Sequence, residues 1–587
     1  MVPQTKRVAP IRREADCPLR DGTKLHTVLL TPEGDGPWPA LLTRHPYDVS
    51  GDESAGRVDL DRFVAAGYLV ALQDVRGRFG SQGEFDASAQ EVADGADAVA
   101  WLASLAECSG VVGMFGASYA SETQFSALAG GSPALRAIIP AVTPVASGTN
   151  GFRFRGGVPE VGSMFAWSHF AIAPGQIARI SDPDERTEEE RRWLDVDRLL
   201  QSGELFRAGT LQSSLEADAT LRWMRERLSE PLDSPAHSVG KVTRIGEVDI
   251  PVFLIGGWFD VFLGSTLTMY RALLTRARTL AAPEPYLLIG PWSHTNMTGV
   301  IGDLDFGAEA SDARLDGLDM TDQHLRFFDA ALQGSSSLDG VAPVRVFVMG
   351  ANRWLELPEF PPAQAQQQTM MLGADAGLRS SDGTDGVVTF TSDPGHPVPT
   401  RGGATLLFPP YEPGPSDQRE IENRSDVVSW RTEPLDDDLA VVGEIRAVIH
   451  LAVDGTDADL VVRLCDEHPD GSTIVIADGI QRGSARAVDA TTGQGPVAPV
   501  RPHVFEEYDV DLWATAHAFL RGHRVRVDIT SSSSPRWDVG SNAFPPADPG
   551  TTELAATYTV GLGPAHPSRL LLSVLPRTVS SSNSPTE

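Results

Sequence analysis

Residues 113–121 read Gly-Met-Phe-Gly-Ala-Ser-Tyr-Ala-Ser, "GMFGASYAS", where a strand-like apolar run ends in small residues and a helix-like run begins. A serine on a sharp strand-to-helix turn has its hydroxyl lifted clear of the sheet, and its neighbours must be small because backbone and side chains crowd there. The strict G-x-S-x-G pattern requires glycine two places after the serine, and this chain has Ala120. Small residues two before and two after Ser118 still satisfy the looser pattern. At this level two readings stay open: Ser118 is a nucleophile, or it is a small polar residue in a bend.

The surrounding sequence alternates between two periods. From Lys24 to Pro140 the runs "KLHTVLLTP", "PALLTRHP", "YLVALQDV", "VVGMFG" and "ALRAIIP" read as strands, with helical "VDLDRFVAAG" and "SAQEVADGADAVAWLASLA" between them. This βαβ alternation predicts a parallel sheet covered by helices, an α/β fold. Between about 145 and 240 the alternation stops, and Trp193, Val196 and Leu199 recur at helical spacing behind charged residues, which predicts a helical insertion. Strand and helix runs resume with "VDIPVFLIGGWFD", "GSTLTMYRALLTRAR" and "PYLLIGPWSH". Past about residue 352, short strands separated by Pro, Gly and Asp predict an all-β sandwich or jelly roll. The expected domains are therefore 1–145 and 245–352 for the α/β unit, 146–244 for the helical insertion and 353–587 for the β domain. The last residues, "VSSSNSPTE", read as a disordered tail.

A serine nucleophile needs a histidine base, and the histidine needs a carboxylate to fix its tautomer. On an α/β-hydrolase sheet these residues follow the order Ser, acid, His, each on a loop at the carboxyl end of a strand. Asp260 ends "PVFLIGGWFD" and His294 follows "PYLLIGPW", so both meet the requirement. Taken singly, Asp260 also reads as a helix N-cap and His294 as a surface-loop histidine. The other histidines fit less well. His26 and His45 precede the serine, His169 and His237 fall in the insertion, His324 lies in a helical run, and the rest belong to the β-rich portion. For the oxyanion, the backbone N–H of Tyr119 is the first candidate donor. The loop after "PALLTRHP" lacks a glycine-rich stretch and offers the Tyr47 hydroxyl as the second.

Composition narrows the function. The 587 residues carry a formal charge of −31, which opposes binding to phosphate backbones. No apolar run approaches the roughly 20 residues of a membrane span, and the N-terminus lacks the apolar core of a secretory signal, so a cytoplasmic location is expected. Cys17, Cys108 and Cys465 are widely spaced and odd in number, which argues against disulfides and zinc; each is expected to be a buried small hydrophobe. "DGTDAD" at Asp454 lacks the glycine and glutamate of a calcium loop and reads as a solvated turn. No metal and no cofactor is expected. The expected partners are a small-molecule ester and, if the chain forms a homodimer, a second copy of itself.

Several ordered segments resemble the cocaine esterase and X-Pro dipeptidyl-peptidase family of α/β-hydrolases: "RDGTKL", "RHPYD", "QDVRGRFGSQGEF", "GMFGASY", "GGWFD", "GPWSH", "RVFVMG" and "SDQREIENRSDV". The resemblance implies a catalytic domain interrupted by a helical domain and followed by a jelly roll. It also implies a Ser118, Asp260, His294 triad and an oxyanion hole from Tyr47 and Tyr119. The cocaine-esterase branch further implies an acyl pocket of Phe152, Trp167, Phe262, Leu407 and Phe408, positions that also read as interdomain packing. Relatives acting on α-amino acid esters place carboxylates after the catalytic aspartate, whereas Val261, Phe262 and Leu263 follow Asp260 here. That apolar surround disfavours an ammonium and favours an ester with an apolar or aromatic acyl group. The alternatives are an amide hydrolase of acylase or X-Pro dipeptidyl-peptidase type, and a carbohydrate-binding jelly-roll protein that would use Trp513 and Trp537.

Overall fold

The computed structural model describes residues 10–50, 57–87, 89–144, 151–206, 224, 248–280, 282–315, 317–381, 383–489, 493–545 and 554–576. The tail 579–587, His237 and the expected domain limits at 145 and 244 lie outside them. The core of the molecule is a ten-stranded sheet: β1 (Ile11–Pro18), β2 (Lys24–Thr31), β3 (Trp38–His45), β4 (Leu69–Asp74), β5 (Cys108–Ala117), β6 (Leu135–Ala141), β7 (Phe253–Phe259), β8 (Tyr286–Ser293), β9 (Val344–Val348) and β10 (Arg353–Leu357). Its order is β1-β2-β4-β3-β5-β6-β7-β8-β9-β10. β2 runs antiparallel to its neighbours β1 and β4, and the strands from β4 through β9 are parallel, an α/β-hydrolase topology.

Both faces of this sheet are covered, which is why its central strands are nearly continuously apolar. Helices Glu91–Ser104, Tyr119–Ala129 and Leu263–Leu280 pack one face through Val99, Leu102, Phe125, Leu267 and Tyr270. Helices Leu60–Ala65 and Met320–Gln333 cover the other through Phe63, Phe327 and Phe328. The sheet continues past residue 352, because β10 pairs with β9 from Arg353 to Leu357.

Between β6 and β7 lie helices Val161–Ala166, Ala173–Ile177 and Pro183–Gln201, with a π-helical stretch Trp167–Ile172 joining the first two. The longest begins at Asp182, whose carboxylate accepts from the N–H groups of Asp184 and Glu185, with Pro183 in the first turn where its missing N–H costs nothing. One feature departs from the purely helical expectation. Phe154–Arg155 and Val158–Pro159 form a short antiparallel ribbon ahead of the helices.

The C-terminal region is all-β. A larger and a smaller antiparallel sheet enclose one apolar core that includes Leu372, Trp430, Ile445, Leu460, Val527 and Tyr558. Cys17, Cys108 and Cys465 are buried free thiols, as expected. The "DGTDAD" turn is less solvated than expected. Asp457 and Asp459 are buried, bonded to Ser484 and Arg482.

Two glycines bring the ends of β7 and β8 together. Trp292 lays its indole over Gly290 and its carbonyl against Gly257, and a Cβ at either position would overlap it. A register shift between Gly290 and Ser293 then pairs Ser293 with Phe259, so the residues that follow, Asp260 and His294, leave the sheet side by side. Gly257→Ala is expected to lower stability by about 1–3 kcal/mol. Urea unfolding checks it; a change within about 0.5 kcal/mol, the range of neutral surface substitutions, contradicts the packing account.

Candidate active site

The site grows from the end of β5. Ser118 caps the helix Tyr119–Ala129 with φ 59° and ψ −122°, a strained conformation for a residue with a side chain. Its N–H bonds the Ala141 carbonyl at 3.0 Å, and its own carbonyl accepts from Ser121 and Glu122. Gly116 has φ 134°, and a Cβ there would lie 2.6 Å from the Ala120 methyl and 2.9 Å from Thr43 Oγ1. Glycine is therefore required before the serine, and the room it leaves is filled by the methyl group at 120.

Ser118 Oγ lies 3.0 Å from His294 Nε2, and His294 Nδ1 lies 2.7 Å from Asp260 Oδ1. A carboxylate only accepts, so the proton sits on Nδ1, and the Nε2 lone pair faces the serine hydroxyl. Asp260 is wholly buried and the His294 side chain is 8% exposed. Phe262 packs edge-on against the imidazole with ring centroids 5.1 Å apart. The Asp260 side chain engages His294, while the Asp260 carbonyl receives the Leu263 N–H at the start of the next helix.

Tyr47 follows β3 and Pro46, and its hydroxyl lies beside the Ser118 side chain. The Trp167 indole N–H donates to the same oxygen at 3.0 Å. An indole nitrogen only donates, so the Tyr47 hydroxyl hydrogen is turned away from Trp167. Burial raises the Tyr47 pKa to about 12, which keeps it a neutral O–H donor. Tyr119 opens its helix, where backbone N–H groups face out along the axis. Its own hydroxyl donates to Glu91, a buried carboxylate paired with Arg44 at 2.9 Å. Burial raises the pKa of Glu91, against the pull of Arg44.

Three of the five pocket candidates form a continuous aromatic arc. Tyr119 stacks on Trp167 at 6.2 Å, Trp167 meets Phe152 at 6.1 Å, and Phe152 meets Phe262 at 5.3 Å, next to His294. Leu407 and Phe408 lie beyond Phe152. They join the apolar cluster of the helical segment, where Phe408 packs on Phe165, Phe170 and Phe206, and Phe152 borders that cluster. Trp513 and Trp537 are buried rather than offered to a sugar. The Arg155 guanidinium lies 3.5 Å above Trp513, and the Trp537 indole donates to Glu160 at 2.8 Å.

Arg78 was not singled out in the sequence, although it lies inside "QDVRGRFG". Its wholly buried guanidinium donates to the Pro46 carbonyl and the Ile172 carbonyl, both at 3.0 Å. It thus ties the loop bearing Tyr47 to the π-helical stretch bearing Trp167, and burial lowers its pKa to about 10.

The fold and the strained serine elbow define an α/β-hydrolase. The profile of X-Pro dipeptidyl-peptidases (S15 family) matches residues 21–296, and that of the X-Pro dipeptidyl-peptidase C-terminal non-catalytic domain matches 336–571. Cocaine esterase of Rhodococcus sp. (strain MB1 Bresler) is 33% identical over 582 residues, covering 95% of this chain and 98% of that protein. The chain belongs to this S15 and cocaine esterase family of hydrolases. Among solved structures, an α-amino acid ester hydrolase matches with TM-score 0.78 at 25% identity over 98% of both chains. An aminopeptidase from the marine sediment archaeon Thaumarchaeota archaeon shares the fold, with TM-score 0.81 at 24% identity over 98% of both chains.

Lysine lacks the planar fork that reaches two carbonyls at once. Arg78→Lys is therefore expected to slow fluorophosphonate labelling of Ser118 on the order of 10²-fold, the scale of an ångström-level misplacement. Labelling at the wild-type rate contradicts the tie.

Proposed function

We propose that this protein is a serine carboxylesterase acting on small-molecule esters with an apolar or aromatic acyl group. The observation that carries this reading is the Asp260–His294–Ser118 hydrogen-bond chain, with the Tyr47 hydroxyl beside it. Ser118 Oγ attacks the acyl carbon while His294 Nε2 takes its proton, and Asp260 holds the imidazolium that results. The carbonyl oxygen becomes an oxyanion between the Tyr47 O–H and the Tyr119 N–H. His294 then gives its proton to the leaving alcohol as the C–O bond breaks, which leaves an acyl group on Ser118. Water loses a proton to His294, attacks the acyl carbon, and the acid departs from the regenerated serine.

The acyl preference rests on the aromatic arc and on what surrounds Asp260. Val261, Phe262 and Leu263 are all buried, so the residues after Asp260 offer no carboxylate to a substrate ammonium. Trp167, Phe152 and Phe262 supply flat apolar walls suited to stacking against an aromatic acyl group. We assign the helical segment the role of a cap over this pocket and read the C-terminal two-sheet region as a jelly roll.

Hydrolysis of aryl benzoates and short acyl esters, compared with aminoacyl-prolyl anilides and acyl-lactam amides, tests the reading. Fast ester turnover is expected, abolished in Ser118→Ala; preferential anilide or amide turnover would overturn it. Tyr47→Phe keeps the ring and removes the donor, so kcat is expected to fall about 10²–10³-fold. A kcat in that variant within a few-fold of wild type removes Tyr47 from the oxyanion hole.

A further inference from the structure

Among the described residues, a cluster of ligating side chains outside the Ser118 site lies in the β region, where two turns meet at one end of the smaller sheet. His468 follows strand Asp459–Glu467, and His523 sits between strands Glu506–Phe519 and Arg524–Thr530. Both imidazoles converge on Asp466, whose side chain is 3% exposed. Asp466 Oδ1 lies 2.9 Å from His523 Nδ1, and Oδ2 lies 3.0 Å from Nε2 of a third imidazole, His517.

Those two hydrogen bonds engage both oxygens of the buried carboxylate, and His468 joins them at ion-pair distance. His468 Nε2 lies 3.6 Å from Asp466 Oδ2, beyond a hydrogen bond, while its ring lies over His523 with centroids 4.3 Å apart. Two donors that each reach a tetrahedral zinc at about 2.0–2.2 Å stand roughly 3.3–3.6 Å from each other. One donor atom from each of Asp466, His468 and His523 lies within 4.8 Å of the others. Asp417 and Asp470 add negative field at His468, whose side chain is 29% exposed and gives an ion a way in.

We propose that Asp466, His468 and His523 form a divalent-cation site suited to zinc, with His517 orienting the carboxylate from behind. One carboxylate and two imidazoles are a ligand set that leaves a fourth position for water, and the His517-to-Asp466 hydrogen bond is the outer-shell support such ligands require. On binding, His523 gives up its Nδ1–H bond to Asp466 and takes part as the tautomer protonated on Nε2, with its Nδ1 lone pair toward the ion. The location gives the ion a structural role. His517 lies on the strand that bridges to Met349 at the end of β9, where the Met349 N–H bonds the Ala516 carbonyl and the Ala518 N–H bonds the Met349 carbonyl. A cation there pins the two turns to the seam between the β region and the catalytic sheet.

The full chain, stripped with chelator and dialysed, is titrated with Zn²⁺ alone by calorimetry, and Co²⁺ is then used as an optical probe of tetrahedral geometry. The expected result is one zinc per chain, tetrahedral cobalt bands, and a thermal midpoint that rises with zinc. His468→Ala and His523→Ala are each expected to weaken binding by more than about tenfold and to abolish the zinc-dependent shift, with ester turnover retained. His396→Ala, at an exposed His–Asp pair elsewhere, is expected to bind zinc as the wild type does. The proposal is overturned by absence of stoichiometric uptake in the wild type, including the case of a pH-dependent stability without zinc uptake. Uptake that persists in the His468→Ala/His523→Ala double variant also overturns it.

Discussion

Ser118 is held with φ 59° at the end of a parallel strand, and nearly everything around it serves to keep it there. Such a backbone costs of order 1–3 kcal/mol and persists only when its surroundings over-determine it. Here the Ala141 carbonyl holds the serine N–H, Gly116 gives up a side chain so that Ala120 can pack, and the following helix starts without delay. The result is a hydroxyl that stands clear of the sheet, 3.0 Å from an imidazole carried by the third strand along.

The same serine depends on parts of the chain far from it. The β region packs its Trp537, Val461 and Ile480 around Val158 of the short ribbon, and the Trp537 indole holds Glu160 just ahead of helix Val161–Ala166. That helix runs into the π-helical stretch that opens with Trp167, and Trp167 sets the direction of the Tyr47 hydroxyl. Arg78 closes the loop from the other side, bonding the carbonyls of Pro46 and Ile172. On the far side of the site, Gly264, four residues after Asp260, leaves room for the Trp513 indole of the β region. Three segments of the chain thus share the work of placing one hydroxyl and one hydrogen.

How much of this was legible in the sequence follows from how local each cause is. The strand-to-helix turn at Ser118 and the strand ends at Asp260 and His294 are written in neighbouring residues, and the three side chains do meet. The weak point, Ala120 in place of glycine, is resolved by Gly116, whose φ no pattern of residue types reveals. The Trp167 bond to Tyr47 and the Arg78 tie join residues 120 and 94 positions apart, so no spacing announces them. β10 was hidden because its edge position makes it half exposed, unlike the apolar strands before it. The cluster at Asp466 is hidden for the same reason as Arg78: its histidines come from two turns and an intervening strand, and no cysteine stands among them to mark a metal site by spacing.

We propose that the Ser118 hydroxyl, through His294 and Asp260, carries the acyl group during turnover. Rapid acid quench during turnover of an aryl ester, followed by peptide mass mapping, tests it most directly. The acyl mass is expected on the peptide containing Ser118, formed within the first turnover and absent in His294→Ala. Steady ester hydrolysis with no acylated Ser118, or with the acyl group on another residue, would contradict it.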